Sequence, residues 1–342
     1  MLKNLKHSVL IILIVIILFF ISMPLLASKQ FSNKITPVVR MENINKLKYR
    51  KWSGLGMGLF STKNSSEFDE YVDILLVNGF TELRIGLPDY TDTTYIAQTK
   101  AAIVRAVAKG AKVIWGICSG QNLITAESWV NFRAAILDTA QWAQDNGVYE
   151  FLIGNEEEMK VDGTTMTVAQ LIINLKEVAT EVKQIFTNGN VAYSCWAIKI
   201  DEWIAAGKGN IDILASNIFM GGDGFYDNHW KTLINKLVNA FGSEGTYLTE
   251  FAPSYSSLDD YSEDEAMQAE AVNEMIEYIE ASGITRALYF VWKCDDFGVM
   301  KDNGTYRFLW DHALLNSGSE KFTAVPTINT ISLLNTIALV PK

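Results

Sequence analysis

Two apolar runs in this chain stop abruptly at acid. Phe151-Leu152-Ile153-Gly154 runs into Asn155-Glu156-Glu157-Glu158, and Tyr247-Leu248-Thr249 runs into Glu250 ahead of Phe251-Ala252-Pro253. Short apolar runs are the pattern of strands covered on both faces, and such strands deliver their last side chains to the mouth of a pocket. Two carboxyl groups brought together from separate strands are what cleavage of a glycosidic bond requires. Glu156 and Glu250 are therefore the candidate catalytic pair. Successive side chains on a strand alternate in direction, so Glu156 and Glu157 cannot both face inward, and Glu157 and Glu158 compete with Glu156 for the acid role.

The elements that must position these acids alternate from Trp52 onward with a period of roughly thirty residues, the signature of βα units around a parallel sheet. Strands are expected at Gly54–Phe60, Glu82–Leu87, Lys112–Cys118, Glu150–Gly154, Val191–Trp196, Ile211–Ile218, Thr246–Phe251 and Arg286–Trp292. Helices are expected at Ser66–Val77, Tyr95–Ala108, Ala126–Asp145, Val168–Phe186, Asp201–Ala206, Asp227–Phe241, Glu263–Ala281 and about Pro326–Leu339. Ser65 or Ser66 caps the first helix, and Ser262-Glu263-Asp264-Glu265 resembles a capping box for the seventh. Gly79, Gly110, Gly147 and Gly283 stand where helices end in a left-handed residue. Eight such units make one α/β domain, a (β/α)8 TIM barrel over residues 52–342.

Active sites of these barrels form at the C-terminal ends of the strands. Strand two carries Arg84 inside an apolar segment, strand three ends at Trp115-Gly116-Ile117-Cys118-Ser119, and strand four ends at Asn155-Glu156. Strand five ends at Trp196, strand six at Asn217-Ile218-Phe219, strand seven at Glu250 and strand eight at Trp292. With Asn-Glu after strand four, Glu after strand seven, Arg on strand two and Trp on strand eight, the chain resembles the clan A retaining glycoside hydrolases, which include many endo-β-glucanases and β-mannanases. The segment Trp310–Lys321 is also similar to the stretch after strand eight in these enzymes. The resemblance implies Glu250 as nucleophile and Glu156 as acid/base, with Arg84, Asn155, Trp196, Asn217 and Trp292 binding substrate. In these roles Arg84 would hold the Glu250 pKa down, Asn155 would grip a sugar 2-hydroxyl and Trp292 would be the floor for a sugar ring. The chain departs from the family after strand six: many members have His-x-Tyr there, but here Asn217 and Phe219 occupy those places. Phe219 cannot donate to the nucleophile, so its tuning falls to Arg84 or another strand.

Composition narrows the partners. With 342 residues, 49% hydrophobic and 20% charged, there is ample material for one large core. A net charge of -10 argues against nucleic acid, whose phosphates need a basic face, while 9 Trp and 13 Tyr suit a neutral polysaccharide or oligosaccharide. Cys118, Cys195 and Cys294 lack metal-binding spacing and read as buried apolar residues. His7, His229 and His312 are scattered away from strand ends, so no metal and no cofactor is expected. Trp129, Trp142, Trp203 and Trp230 fall on helices and read as packing residues. Asn64 and Asn303 fit the glycosylation pattern.

Residues 1–27, with Lys3 and Lys6 ahead of an apolar run from Val9, read as a signal peptide or membrane anchor. Attachment would be through residues 9–27, and residues 28–51 read as a basic juxtamembrane linker. Seven Lys and Arg between Lys29 and Lys51 oppose an inside N-terminus, yet the chemistry argues for export, with the barrel outside the cell as a monomer. The expected function is retaining hydrolysis of a β-glucan, mannan or galactan. The alternatives are transglycosylation by the same chemistry and a non-catalytic carbohydrate-binding barrel, with a metal-dependent barrel hydrolase well behind them.

Overall fold

A computed structural model describes residues 55–60, 65–220, 229–253, 265–293, 298–301, 304–307, 309–310 and 314. Eight parallel strands close into a barrel in the order β1 to β8: Leu55–Leu59, Glu82–Ile85, Lys112–Gly116, Glu150–Asn155, Asn190–Trp196, Ile213–Met220, Leu248–Pro253 and Ala287–Tyr289. β8 pairs with β1 through Leu55 and Ala287, so the sheet has no free edge. Between the strands lie α1 Ser65–Val77, α2 Thr93–Ala108, α3 Ala126–Asp145, α4 Val168–Ile185, α5 Ile200–Ala206, α6 His229–Phe241 and α7 Glu265–Ala281.

The helices form where local chemistry starts and stops them. Asp92 accepts a hydrogen bond from the Tyr95 N–H at 2.8 Å, Thr125 and Ser128 make a reciprocal capping box, and Thr167 accepts from the Gln170 N–H at 3.2 Å. Gly79, Gly110, Gly147 and Gly283 all take positive φ, between 73° and 93°, as helix-ending residues should. On α6, the spacing Trp230, Leu233, Ile234, Leu237 puts one buried stripe against the sheet. Trp203 and Trp230 are fully packed, and Trp142 meets Trp115 edge-on at 5.1 Å. Cys195 is buried and Cys118 partly so.

An ionic cluster closes the N-terminal end of the barrel. Glu150, fully buried at the start of β4, accepts from Tyr247 Oη at 2.6 Å and from Arg286 Nη1 at 2.8 Å, and Arg286 Nε donates to Glu82 at 2.7 Å. A buried carboxylate needs such partners, because an unpaired one costs several kcal/mol. This cluster also explains why β8 starts at Ala287 and not at Arg286: the arginine is turned under the barrel floor. β8 ends at Tyr289, shorter than the sequence pattern suggested, and β6 and β7 run two residues further, to Met220 and Pro253.

Several expected features lie outside the described residues. They are residues 1–27 and 28–51, Asn64, Asn303, Cys294, the capping box at 262–265 apart from Glu265, most of the segment 310–321, and the final helix at 326–339. No described helix is long and apolar enough to cross a membrane.

Candidate active site

The site is assembled at the C-terminal ends of β2, β4, β5, β6 and β7. Its base is Arg84, fully buried on β2. Its Nη1 donates to Glu250 Oε1 at 2.6 Å and to the Thr249 carbonyl at 3.3 Å, while Nη2 donates to Asn155 Oδ1 at 2.9 Å. One guanidinium thus ties β2 to β4 and β7, and its planar fork fixes the direction of both side chains. Asn217, almost fully buried on β6, lies in register with Glu250. Its Nδ2 donates to Asn155 Oδ1 at 3.1 Å, and its Oδ1 accepts from Ser194 Oγ at 3.0 Å and Thr249 Oγ1 at 2.8 Å. The Asn217 amide also acts on both Glu156 and Glu250 in the direction that favours their charged forms.

Three strand pairings shift register at these positions: β4 with β5 between Leu152 and Asn155, β6 with β7 at Ser216 and Asn217, and β7 with β8 between Leu248 and Phe251. Such irregularities re-aim side chains at strand ends. Here they accompany Asn155, Asn217 and Glu250.

The run of three glutamates is sorted by a turn. Glu156 adopts the left-handed conformation, φ 57° and ψ 33°, the one positive-φ residue other than glycine among the described residues. Its N–H donates to the Ser194 carbonyl at 2.8 Å, and its own carbonyl accepts from Met159 N at 3.0 Å, closing a short 3-10 turn over Glu157–Met159. That conformation is costly for a side-chain-bearing residue and persists where surrounding bonds impose it. It leaves Glu156 partly open while Glu157 and Glu158 fold beneath it. Glu157 accepts from Ser119 N at 3.1 and 3.2 Å, from Ser119 Oγ, and from Asn155 N at 3.1 Å. Glu158 accepts from Trp196 N at 3.2 Å and from Trp203 Nε1. The competition among the three acids therefore resolves by burial, with both rivals bonded under the β3 and β5 ends.

The electrostatics separate the two open carboxyls. Burial pushes Glu156 up to about 8, helped by the charges of Glu250 and Glu158 and opposed by Arg84 and the Asn217 amide. Burial also raises Glu250, and Arg84 opposes it by both charge and hydrogen bond, with Asn217 adding to the relief. Arg84 does counter the rise as its charge requires, yet desolvation outweighs it and the net direction is up, contrary to the expectation from the sequence. Glu250 holds a direct ion pair with Arg84, and Glu156 has none among the described residues, so the shared proton belongs on Glu156. Glu157 is raised to about 7 by burial, with its hydrogen bonds to Ser119 and Asn155 pulling the other way.

The binding residues divide. Asn155 is in the site, but its carbonyl oxygen is committed to Arg84 and Asn217, so only its amide N–H groups remain for a ligand. Trp196, half-buried at the end of β5, has no ring stacked on it among the described residues. Trp292 does not form a sugar floor. It is 1% exposed, and its ring packs against Tyr71, Tyr306 and Trp310 at 5.6, 5.8 and 5.1 Å. Three half-buried phenylalanines form an aromatic wall at this end of the barrel. Phe290 lies 5.4 Å from Phe60 and 5.8 Å from Phe219, and Arg84 Cζ lies 5.4 Å from the Phe60 ring centroid. Phe60 and Phe290 come directly after β1 and β8, and an aromatic at a strand end was the available signal for both. Phe219 supplies a face of this wall in place of a hydroxyl. Among the described residues, no three His, Cys, Asp or Glu side chains are grouped to hold a metal ion.

No protein-family model and no curated protein matches the sequence. Solved structures do match the fold. A GH113 β-1,4-mannanase superposes with a TM-score of 0.55 at 15% identity, covering 80% of this chain and 100% of that one. A fungal β-1,4-galactanase gives 0.59 at 14% identity over 77% and 98% of the two chains. A family 5 xyloglucanase from Paenibacillus pabuli gives 0.59 at 11% identity over 78% and 99%. The resemblance to barrel glycoside hydrolases expected from the sequence is present in the fold.

Proposed function

We propose that this protein is a retaining β-glycosidase that cleaves O-glycosidic bonds in a polysaccharide of the β-glucan, mannan or galactan type. The observation that carries the reading is the asymmetric carboxyl pair at the barrel mouth. Glu250 is ion-paired to a buried arginine, while Glu156 has no cation of its own among the described residues and is raised to about 8. A nucleophile must be ionised and a general acid must hold its proton near neutral pH, and these surroundings favour that division.

In the first step a Glu250 oxygen attacks the anomeric carbon as the bond to the leaving oxygen breaks, and Glu156 gives its proton to that oxygen. A glycosyl ester on Glu250 and a Glu156 carboxylate result. In the second step Glu156 takes a proton from water, whose oxygen attacks the anomeric carbon and frees Glu250 with the configuration retained. Asn155 and Asn217 donate at the base of this site, suited to a sugar hydroxyl and to the nucleophile. Trp196 and the Phe60, Phe219 and Phe290 wall offer apolar faces to sugar rings. The polysaccharide preference draws on the substrates named for the mannanase, galactanase and xyloglucanase of similar fold. Action outside the cell draws on the apolar segment at residues 9–27.

The test is turnover of the protein on a panel of β-glucans, mannans and galactans, with Glu250→Gln as control. Loss of turnover in the variant, partial rescue of Glu250→Ala by azide and a product of unchanged anomeric configuration are expected. An inverted product overturns the retaining assignment, and glycan binding without turnover in either form overturns the enzyme in favour of a binding barrel.

A further inference from the structure

Glu158 has no catalytic task in the proposed reaction, yet it is among the most deeply buried acids in the molecule. It is 3% exposed, and no Lys or Arg pairs with it among the described residues. Its partners are neutral donors on β5 and α5: the Trp196 backbone N–H at 3.2 Å and the Trp203 indole N–H. The Tyr193 hydroxyl accepts from Glu157 N at 3.0 Å and ties the same turn to β5.

A carboxylate buried without a cation is an expensive way to satisfy two donors, since a neutral side chain could accept some of the same bonds at lower cost. What the neutral group would lack is charge. That charge sits two residues from Glu156, under the turn that holds Glu156 in its left-handed conformation, and it acts on Glu156 in the direction that keeps a proton there.

We propose that Glu158 is a positioning residue for Glu156: it clamps the acid-bearing turn to the ends of β5 and α5, and its negative charge helps keep Glu156 protonated as the general acid. Because it also holds the Trp196 backbone, the same carboxylate ties the acid to an aromatic residue at the mouth. The inference rests on Glu156 being the acid/base of the proposed reaction.

The other ionisable groups around this pair are few. Glu157 shares the turn, Tyr193 and Cys195 face it from β5, and Glu250 on β7 and Arg84 on β2 act on Glu156 from across the barrel. Burial and neighbouring carboxylates hold Tyr193 and Cys195 well above their ordinary values, so neither changes charge between pH 5 and 9. Burial raises Glu157, Glu250 and Glu158 itself, in Glu158 against the Trp203 and Trp196 bonds that favour its charge, and Glu157 and Glu250 are retained in every variant that reports on Glu158.

The experiment is carbon NMR titration of the full-length protein carrying glutamate labelled at the carboxyl carbon, with the Glu156 signal assigned by its loss in Glu156→Gln. In Glu158→Gln, which keeps the shape and an accepting oxygen, the Glu156 midpoint should fall by about one pH unit, the scale of removing one nearby charge from a partly buried site. Trp203→Phe, which removes one donor and leaves the charge less stabilised, should move it the same way and less far. It serves as the readout if Glu158→Gln does not fold. A Glu156 midpoint that stays put in the folded variants overturns the inference and leaves Glu158 a structural prop. The titration needs no substrate, so absence of turnover on every glycan would overturn the proposed reaction without touching this result. Where turnover is found, the basic limb of kcat/KM should shift to lower pH in Glu158→Gln, and an unshifted limb counts against the inference.

Discussion

Replacing Glu156 by Gln should make the fold more stable, and increasingly so as pH rises. Glu156 is raised from an ordinary value of 4.5 to about 8 in the folded protein. The folded state therefore binds this proton more tightly than the unfolded chain, and by linkage stability falls as pH rises through that window. The contribution is fully present below about 4.5 and gone above about 8. Each unit of pKa difference corresponds to about 1.4 kcal/mol, which puts a ceiling of about 5 kcal/mol on the effect. Partial solvent access to Glu156 and relaxation of the Arg84 and Asn217 bonds around it reduce that to about 2 kcal/mol in practice. Gln keeps the size and the left-handed backbone, so the strain of that turn is common to both proteins and cancels. The assay is urea unfolding of wild type and Glu156→Gln at pH 5, 6, 7 and 8.5. A lead of the variant over wild type that grows by about 1 kcal/mol or more between pH 5 and pH 8.5 is expected. Two parallel curves would mean that Glu156 ionises as an ordinary surface acid, and the assignment of the proton within the pair would fail with it.

The remaining predictions use the same contacts. The pH dependence of kcat/KM should be bell-shaped with its basic limb raised to between about 6 and 8, from loss of the Glu156 proton, and a basic limb at the ordinary carboxylate value of 4.5 would contradict the assignment. Arg84→Met keeps much of the buried stem but removes the cation bonded to Glu250 at 2.6 Å. It should raise the acid limb and cost at least about hundredfold in kcat/KM at pH 6, because Glu250 then stays protonated. Gly154→Ala should destabilise the protein by about 1–3 kcal/mol in thermal or urea unfolding, since its Cβ would sit 2.9 Å from Glu157 Cγ and 3.0 Å from Tyr193 Cε2. Trp292→Phe should lower stability without raising KM, and a large rise in KM at unchanged stability would return Trp292 to the binding surface.

The parts of this molecule visible in the sequence are those set by local rules. Alternation of apolar strands with capped helices indicates the barrel, and the C-terminal ends of its strands indicate where Arg84, Asn155, Glu156, Asn217 and Glu250 should meet. Trp292 shows where that reasoning loses resolution. A tryptophan near the end of the last strand reads as a sugar platform, but β8 ends at Tyr289, and by residue 292 the chain has turned into a cluster with Tyr71 and Trp310. An error of two or three residues in a strand end is enough to move a side chain from the mouth to the packing behind it. The half-buried Phe290, next after β8, takes its place beside Phe60 and Phe219.

The sorting of Glu156, Glu157 and Glu158 is a different kind of omission, because strand alternation is the wrong geometry for that segment. The alternation ends at Asn155, and the next residue takes a left-handed conformation that no glutamate would adopt on its own propensity. It is imposed from outside the segment, by the Ser194 carbonyl, by the Ser119 and Tyr193 bonds to Glu157 and by the Trp196 and Trp203 bonds to Glu158. Those partners lie on β5 and α5 and just past β3, distant in sequence. A local rule broken and held in place by five separate contacts is the pattern of a site where geometry has been favoured over stability. The strained backbone and the raised Glu156 carboxyl fall on the same residue, which is why the stability of Glu156→Gln and its loss of turnover should be two readings of one arrangement.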